Sequence, residues 1–272
     1  MKFAILLILF YTDCALASER INTKTFVGVE QLIFEKKALV GAENLLVVYD
    51  FDNTLMAMDQ DIGSDQWYNW QSELIREKKT KDAVALTRGE LFEVHYKISA
   101  LGKMHIVEPS IPKFVKTIQQ MKIKSIVLTS RGPILRNDVE NELATADLEF
   151  KSSAFGPEGG YASTFVPDGL ENPREVSFMD GIVMGSGQHK GKILSAVLKK
   201  AGVKFKVIIF VDDTLKNIEN MEATLKDEVE LITFYYTHEQ DRVDKFQKDK
   251  SKARREWLKL KPVIQTLFGA PK

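Results

Sequence analysis

The chain has 272 residues, 44% of them hydrophobic, which is enough for one large domain or a core carrying an inserted module and excludes a disordered or fibrous chain. Lys plus Arg and Asp plus Glu number 38 each, so no overall field favours nucleic acid or an acidic surface, and any electrostatic role must be local.

In chain order, "MKFAILLILFYTDCALASER" comes first. One lysine, an apolar run from Phe3 to Tyr11 and the small-residue site Ala15-Leu16-Ala17 predict a cleavable export signal over residues 1–17. The run is too short to span a bilayer as a helix, so an exported protein, periplasmic or secreted, with no stable membrane anchor after cleavage is expected. Cys14 is the single cysteine and lies inside this segment, which suits an oxidising compartment.

Four short apolar runs follow: Leu45 to Tyr49, Ser125 to Leu128, Val207 to Val211 and Leu231 to Tyr236. Their near-continuous hydrophobicity predicts parallel strands covered on both faces. Between them, Ile111, Phe114, Val115, Ile118 and Met121 recur at helical spacing behind Ser110, with Pro112 in the first turn. Ile193, Leu194, Val197 and Leu198 repeat the pattern up to a stop at Gly202. Strands alternating with helices imply an α/β fold, a central parallel sheet flanked by helices.

Two stretches break the rhythm. Residues 56–107 contain "GSDQWYNWQSELIREKK", where Ser64 or Asp65 can cap a helix bearing Trp67, Trp70 and Leu74, so a small, mainly helical insertion is expected there. Residues 151–187, with "GPEGGY", "PDG", "NPR" and "MDG", read as an irregular, β-containing excursion. The core is then 18–55 and 108–272.

Three predicted strands end in polar chemistry: Asp50 with Asp52, Thr129 with Ser130, and Asp212 with Asp213. Ligands of open parallel sheets bind beyond the carboxyl ends of the strands, so these residues are expected at one site. Gathered carboxylates repel one another, and a hard divalent cation with oxygen ligands neutralises them; Mg²⁺ suits a phosphate-handling site. A calcium loop beginning at Asp50 would want Gly at position 55 and Glu at 61, where the chain has Leu55 and Asp61. "GSGQHKGK" fails as a phosphate-binding P-loop, because Ser186 and Ile193 stand where Gly and Ser or Thr are required. Gly185 and Gly187 are read instead as the point where the excursion re-enters the core.

In these motifs and their order the chain resembles phosphatases of the haloacid dehalogenase superfamily. "DFDNT" corresponds to motif one, Thr129 in "IVLTSR" to motif two, Lys190 in "HKGKIL" to motif three with Lys192 as its alternative, and "IIFVDDTLKN" to motif four. The "GSDQW" stretch is also similar to an uncharacterised, exported bacterial branch. The resemblance implies a Rossmann-like core with the 56–107 insertion as a cap that closes over the site and selects substrate. It further implies Mg²⁺-dependent hydrolysis of a small phosphorylated substrate, a phosphomonoester, through an aspartyl-phosphate. Asp50 would be the nucleophile and Asp52 the general acid and base. Mg²⁺ would be held by the Asp50 carboxylate, the Asp52 backbone carbonyl and Asp213. Thr129 and Lys190 would bind phosphate, with Asp212, Asn217, Thr54 and Ser130 in support. Haloacid dehalogenases lack the second acid, so Asp52 argues for phosphoryl chemistry; a phosphomutase or phosphotransferase shares all four motifs, and export argues against it.

Trp67, Tyr68 and Trp70 could meet a leaving group or simply form the apolar face of a helix. His189 and His238 are expected in solvated loops. The C-terminal stretch from Asp241 interleaves charges with Val243, Phe246, Trp257, Leu260, Val263, Ile264 and Leu267, a surface helix packed on the core rather than a nucleic-acid arm. A catalytically quiet binding or effector protein on the same fold is the alternative to the enzyme.

Overall fold

A computed structural model describes residues 18–269, so the expected export signal at 1–17 lies outside the described residues. Among them a seven-stranded sheet forms the centre of the molecule, in the order β1-β9-β8-β2-β5-β7-β6. The strands are β1 (Ser18–Thr23), β2 (Leu45–Tyr49), β5 (Lys124–Thr129), β6 (Ser177–Met179), β7 (Ile182–Met184), β8 (Val207–Asp212) and β9 (Glu230–Tyr236). All pairings are parallel except β6 with β7. β2 is central, with Leu46 opposite both Lys124 and Ile208. The fold is α/β with a mostly parallel sheet flanked by helices, as the sequence pattern implies.

The apolar runs are continuous because both faces of each strand are covered. Leu45, Val47 and Tyr49 of β2 join Ile209 and Val211 of β8 in one core, against α1 (Phe26–Val40), α4 (Ile111–Gln120) and α5 (Arg136–Thr145). Leu46 and Val48 point the other way, with Ile208 and Phe210, against α6 (Lys190–Ala201) and α7 (Leu215–Leu225). Each such side chain, fully withdrawn from water, contributes about 1.5–3 kcal/mol. The α6 helix ends at Gly202, whose φ of +65° is left-handed and whose N–H donates to the Leu198 and Lys199 carbonyls.

The 56–107 segment starts with β3 (Met56–Met58) and ends with β4 (Met104–Ile106), which pair antiparallel with Met56 opposite Ile106. Between them lie α2 (Asp65–Arg76) and α3 (Arg88–Leu101). Ser64 caps α2, its Oγ accepting the Trp67 N–H at 3.3 Å. Thr87 and Glu90 form a reciprocal capping box on α3. Trp67 is buried with Ile62, Leu91, Val94 and Ile98; Trp70 meets Phe246 edge-on, and Tyr68 meets His95 likewise. These aromatics are spent on packing.

Two features differ from the sequence reading. The 151–187 excursion contains a core strand: β7 pairs Val127 with Ile182 and Thr129 with Met184, so the chain has re-entered the core by Ile182, and the buried Gly185 extends the pairing by donating its N–H to the Thr129 carbonyl at 2.9 Å. With only three residues among turn signals, β7 has too little pattern to stand out. The C-terminal stretch is two helices, α8 (Gln240–Lys248) and α9 (Ser251–Phe268), and it packs mainly on the 56–107 segment. Phe246, Ala253 and Ile264 are buried with Trp67 and Leu91. Among the described residues, no helix is long and apolar enough to cross a membrane.

Candidate active site

Asp50 leaves the end of β2, its N–H bonded to the Val211 carbonyl at 2.9 Å, which sets it beside the end of β8. There Asp212 is fully buried and Asp213 half-buried. Carboxylate oxygens of Asp50, Asp212 and Asp213 all lie within 4.8 Å of one another. Beneath them Lys190, the first residue of α6 and only 1% exposed, lies 2.6 Å from Asp50 Oδ1 and 2.7 Å from Asp212 Oδ2. Lys192 instead points outward to the Gly169 carbonyl. Gly191 explains the Lys-Gly pair: a Cβ there would fall 2.4 Å from the Asn220 carbonyl oxygen, so only glycine lets α6 press this closely on α7.

Burial opposes the Lys190 charge, but the Asp212 and then the Asp50 carboxylate outweigh it and hold the ammonium above its ordinary pKa. Burial, then the Asp212 charge, pushes both Asp50 and Asp213 well above the usual carboxylate range; Lys190 pulls in the other direction. One lysine cannot neutralise three acids. Asp212 already accepts bonds from Lys190, the Thr214 N–H at 2.8 Å and the Asn217 amide at 3.0 Å, so it orients the cluster. Asp50 and Asp213 keep oxygens for another partner. An oxygen-only donor set with surplus negative charge fits a hard divalent cation such as Mg²⁺.

Asp50, Asp52, Ser130, Asp213 and Asn217 line one small cleft, together with Asp65 and Thr214. The Thr129 side chain is fully buried, with its hydroxyl accepting the Arg131 N–H at 3.1 Å. Thr54 is buried beside the loop, its hydroxyl without a partner among the described residues. His189 caps α6 and His238 bonds to the Lys24 carbonyl, neither lining the cleft.

Two residues here were missed from the sequence. Arg131 grips Asp52 with two bonds, Nη2 to Oδ1 at 2.7 Å and Nε to Oδ2 at 3.0 Å, while its guanidinium lies 4.8 Å from the Phe51 ring centroid. It also donates to Ser99 Oγ on α3 at 3.3 Å, tying the site to the 56–107 segment. A basic residue two positions past a polar strand end was the available signal. Asp65, first residue of α2, carries in the sequence only the signal of a helix-start acid. Burial, then the Asp52 carboxylate, pushes it up to about 6.

Fold and site together define an α/β protein whose central strands converge on a buried acid–lysine cluster. Residues 22–267 match the model of DUF2608, described as a protein of unknown function, and the chain belongs to that family. No curated protein matches the sequence. Among solved structures, the chain is similar to a haloacid dehalogenase-like hydrolase family protein from Streptococcus pneumoniae, 13% identical, with 69% of this chain and 92% of that chain covered at a TM-score of 0.38. It is also similar to cytosolic 5'-nucleotidase IIIB bound to cytidine, 14% identical, with 82% and 83% covered at a TM-score of 0.38.

Proposed function

We propose that the protein is an exported, Mg²⁺-dependent phosphatase that hydrolyses a small phosphomonoester through an aspartyl-phosphate on Asp50. The observation that carries this reading is Lys190 held between Asp50 and Asp212 at the ends of β2 and β8, with Asp213 beside them. A structural ion pair needs one acid per lysine; three acids around one lysine suit a site that handles a cation and a phosphoryl group.

An Asp50 carboxylate oxygen attacks phosphorus as the bond to the leaving oxygen breaks, and Asp52 gives that oxygen its proton. Water then attacks the phosphoryl group, returns a proton to Asp52, and releases inorganic phosphate and the Asp50 carboxylate. Lys190 offsets the charge that gathers in both steps, and Thr129 binds phosphoryl oxygen. Mg²⁺ held by Asp50, Asp213 and the Asp52 carbonyl would supply further neutralisation of the phosphoryl oxygens. Because Arg131 occupies both Asp52 oxygens, Asp52 delivers its proton only once that pair opens. The 56–107 segment acts as the cap over this site, and the residue 1–17 signal accounts for export.

The test is hydrolysis of 4-nitrophenyl phosphate by residues 18–272, with Mg²⁺ or EDTA, beside Asp50→Asn. Metal-dependent turnover that falls by roughly 10³-fold or more in the variant is expected. Folded wild type that turns over nothing would favour the binding-protein alternative, to which the occupied Asp52 lends support.

A further inference from the structure

Beside the acid cluster a second, larger cleft of about 220 Å³ opens between the cap and the core. It shares Asp65, Asp213 and Thr214 with the Asp50 cleft, so whatever fills it adjoins the nucleophile. Its lining is rich in carboxamides: Asn53 below, Gln66 and Asn69 from α2, Gln240 and Gln247 from α8. Among the described residues, no lysine or arginine lines it.

Gln66 is the informative residue. It is 4% exposed, its Oε1 accepts from the Asn53 amide at 3.4 Å, and its Nε2 has no hydrogen-bond partner among the described residues. A buried donor left unmade is costly, and a ligand oxygen at the foot of the cleft removes that cost. Asp65 adds acceptors on the same wall, with Asn69 steadying its Oδ2 at 2.8 Å.

The lining discriminates among chemical classes. A second anionic group would meet the Asp65 carboxylate, with no basic side chain among the described residues of the lining to receive it. A quaternary ammonium wants several aromatic faces, and among the described residues the lining offers only Tyr235. A hydroxyl donates to carboxylates and accepts from amides, which this mixture of groups satisfies. We propose that this cleft is the leaving-group subsite, and that it takes a compact polyhydroxylated group, a sugar or polyol, bearing no second anion. The inference rests on the phosphatase reading for its placement beside Asp50, and on the cleft itself for its ligand class.

The experiment compares kcat/KM for glucose 6-phosphate, phosphocholine, fructose 1,6-bisphosphate and 4-nitrophenyl phosphate. In parallel, saturation-transfer NMR follows free glucose and sorbitol. Glucose 6-phosphate is expected to exceed phosphocholine and the bisphosphate by about tenfold or more. Gln66→Leu should lower the ratio of glucose 6-phosphate to 4-nitrophenyl phosphate turnover on the order of tenfold, and weaken saturation transfer to glucose. Asn69→Leu, at an exposed position, should shift both in the same direction and serves if Gln66→Leu does not fold. Preference for phosphocholine or the bisphosphate, or an unchanged ratio in the folded variants, overturns the subsite. If no ester is hydrolysed, the phosphatase reading fails separately, and NMR decides alone: transfer that the variants abolish sustains the polyol site, and no transfer ends it.

Discussion

The acid cluster at the ends of the central strands β2 and β8 and the 56–107 segment with the C-terminal helices packed on it use charge in opposite ways. At these strand ends Lys190 is enclosed with Asp50 and Asp212, and each partner is needed because water cannot replace it. Where the 56–107 segment meets α8 and α9, ionic contacts flank an apolar cluster. Arg254 pairs with Asp82 at 2.9 Å, Lys252 with Asp61 at 3.0 Å, and Glu256 receives the Asp61 and Ile62 N–H groups. Arg242 adds a bond to the Met58 carbonyl. Here Trp67, Phe246 and Ile264 supply the cohesion, and the charges set orientation. Charge enclosed away from water depends on its partner; charge beside a hydrophobic joint depends on it far less.

The sharpest way to break this contrast is Lys190→Met. Leaving two buried acids without their cation should cost about 3–5 kcal/mol in urea unfolding. On the phosphatase reading it should also lower aryl phosphate hydrolysis by about 10²–10³-fold. Equal stability to wild type would mean that the cluster is not truly closed to solvent. Phe246→Ala removes the ring that α8 sets against Trp70, and should cost about 3 kcal/mol while making the 59–103 segment the first cleaved in limited proteolysis. If the cap stays resistant, α8 and α9 do not hold it.

His95 offers a test by pH. It is buried on α3 against the Gly63 carbonyl at 3.1 Å, and burial, then the Arg131 charge, lowers it to about 4. The unfolded chain takes up a proton below about 6.5 that the folded cap refuses, so stability is lost as pH falls from 6.5 toward 4. The loss attributable to His95 should approach about 3 kcal/mol by pH 4, read as the difference between wild type and His95→Gln across that range. A flat difference would show that the ring protonates in place. The smallest effect is expected from Arg254→Ala, no more than about 1 kcal/mol in the same unfolding assay, because its pair with Asp82 is exposed.

The same contrast explains what could be read from the chain alone. β2, β5, β8 and β9 announce themselves because burial on both faces demands unbroken apolar runs, and the acids that end two of them stand out against that background. Lys190 carries a weaker signal, since a lysine at a helix start is ordinary until the fold buries it. Arg131 and Asp65 depend on closure between segments distant in sequence, so no local pattern separates them from solvated charges. β1 escapes notice for another reason: "SERINT" is polar, as suits an edge strand paired on one side only. The docking of α9 on the cap is equally silent, because its apolar stripe is compatible with any apolar partner.

That edge strand also bears on the order of assembly. β1 joins the sheet only through β9, with Ser18 opposite Leu231 and Thr23 opposite Tyr236. No segment made earlier than β9 can receive it, so during synthesis residues 18–23 wait while nearly the whole domain emerges. The loop closed by that pairing is among the longest the chain makes, which places it late in folding on entropic grounds. An early piece of the polypeptide is thus the last to be stitched into the sheet, and the interval before it docks is when the β9 edge lies open.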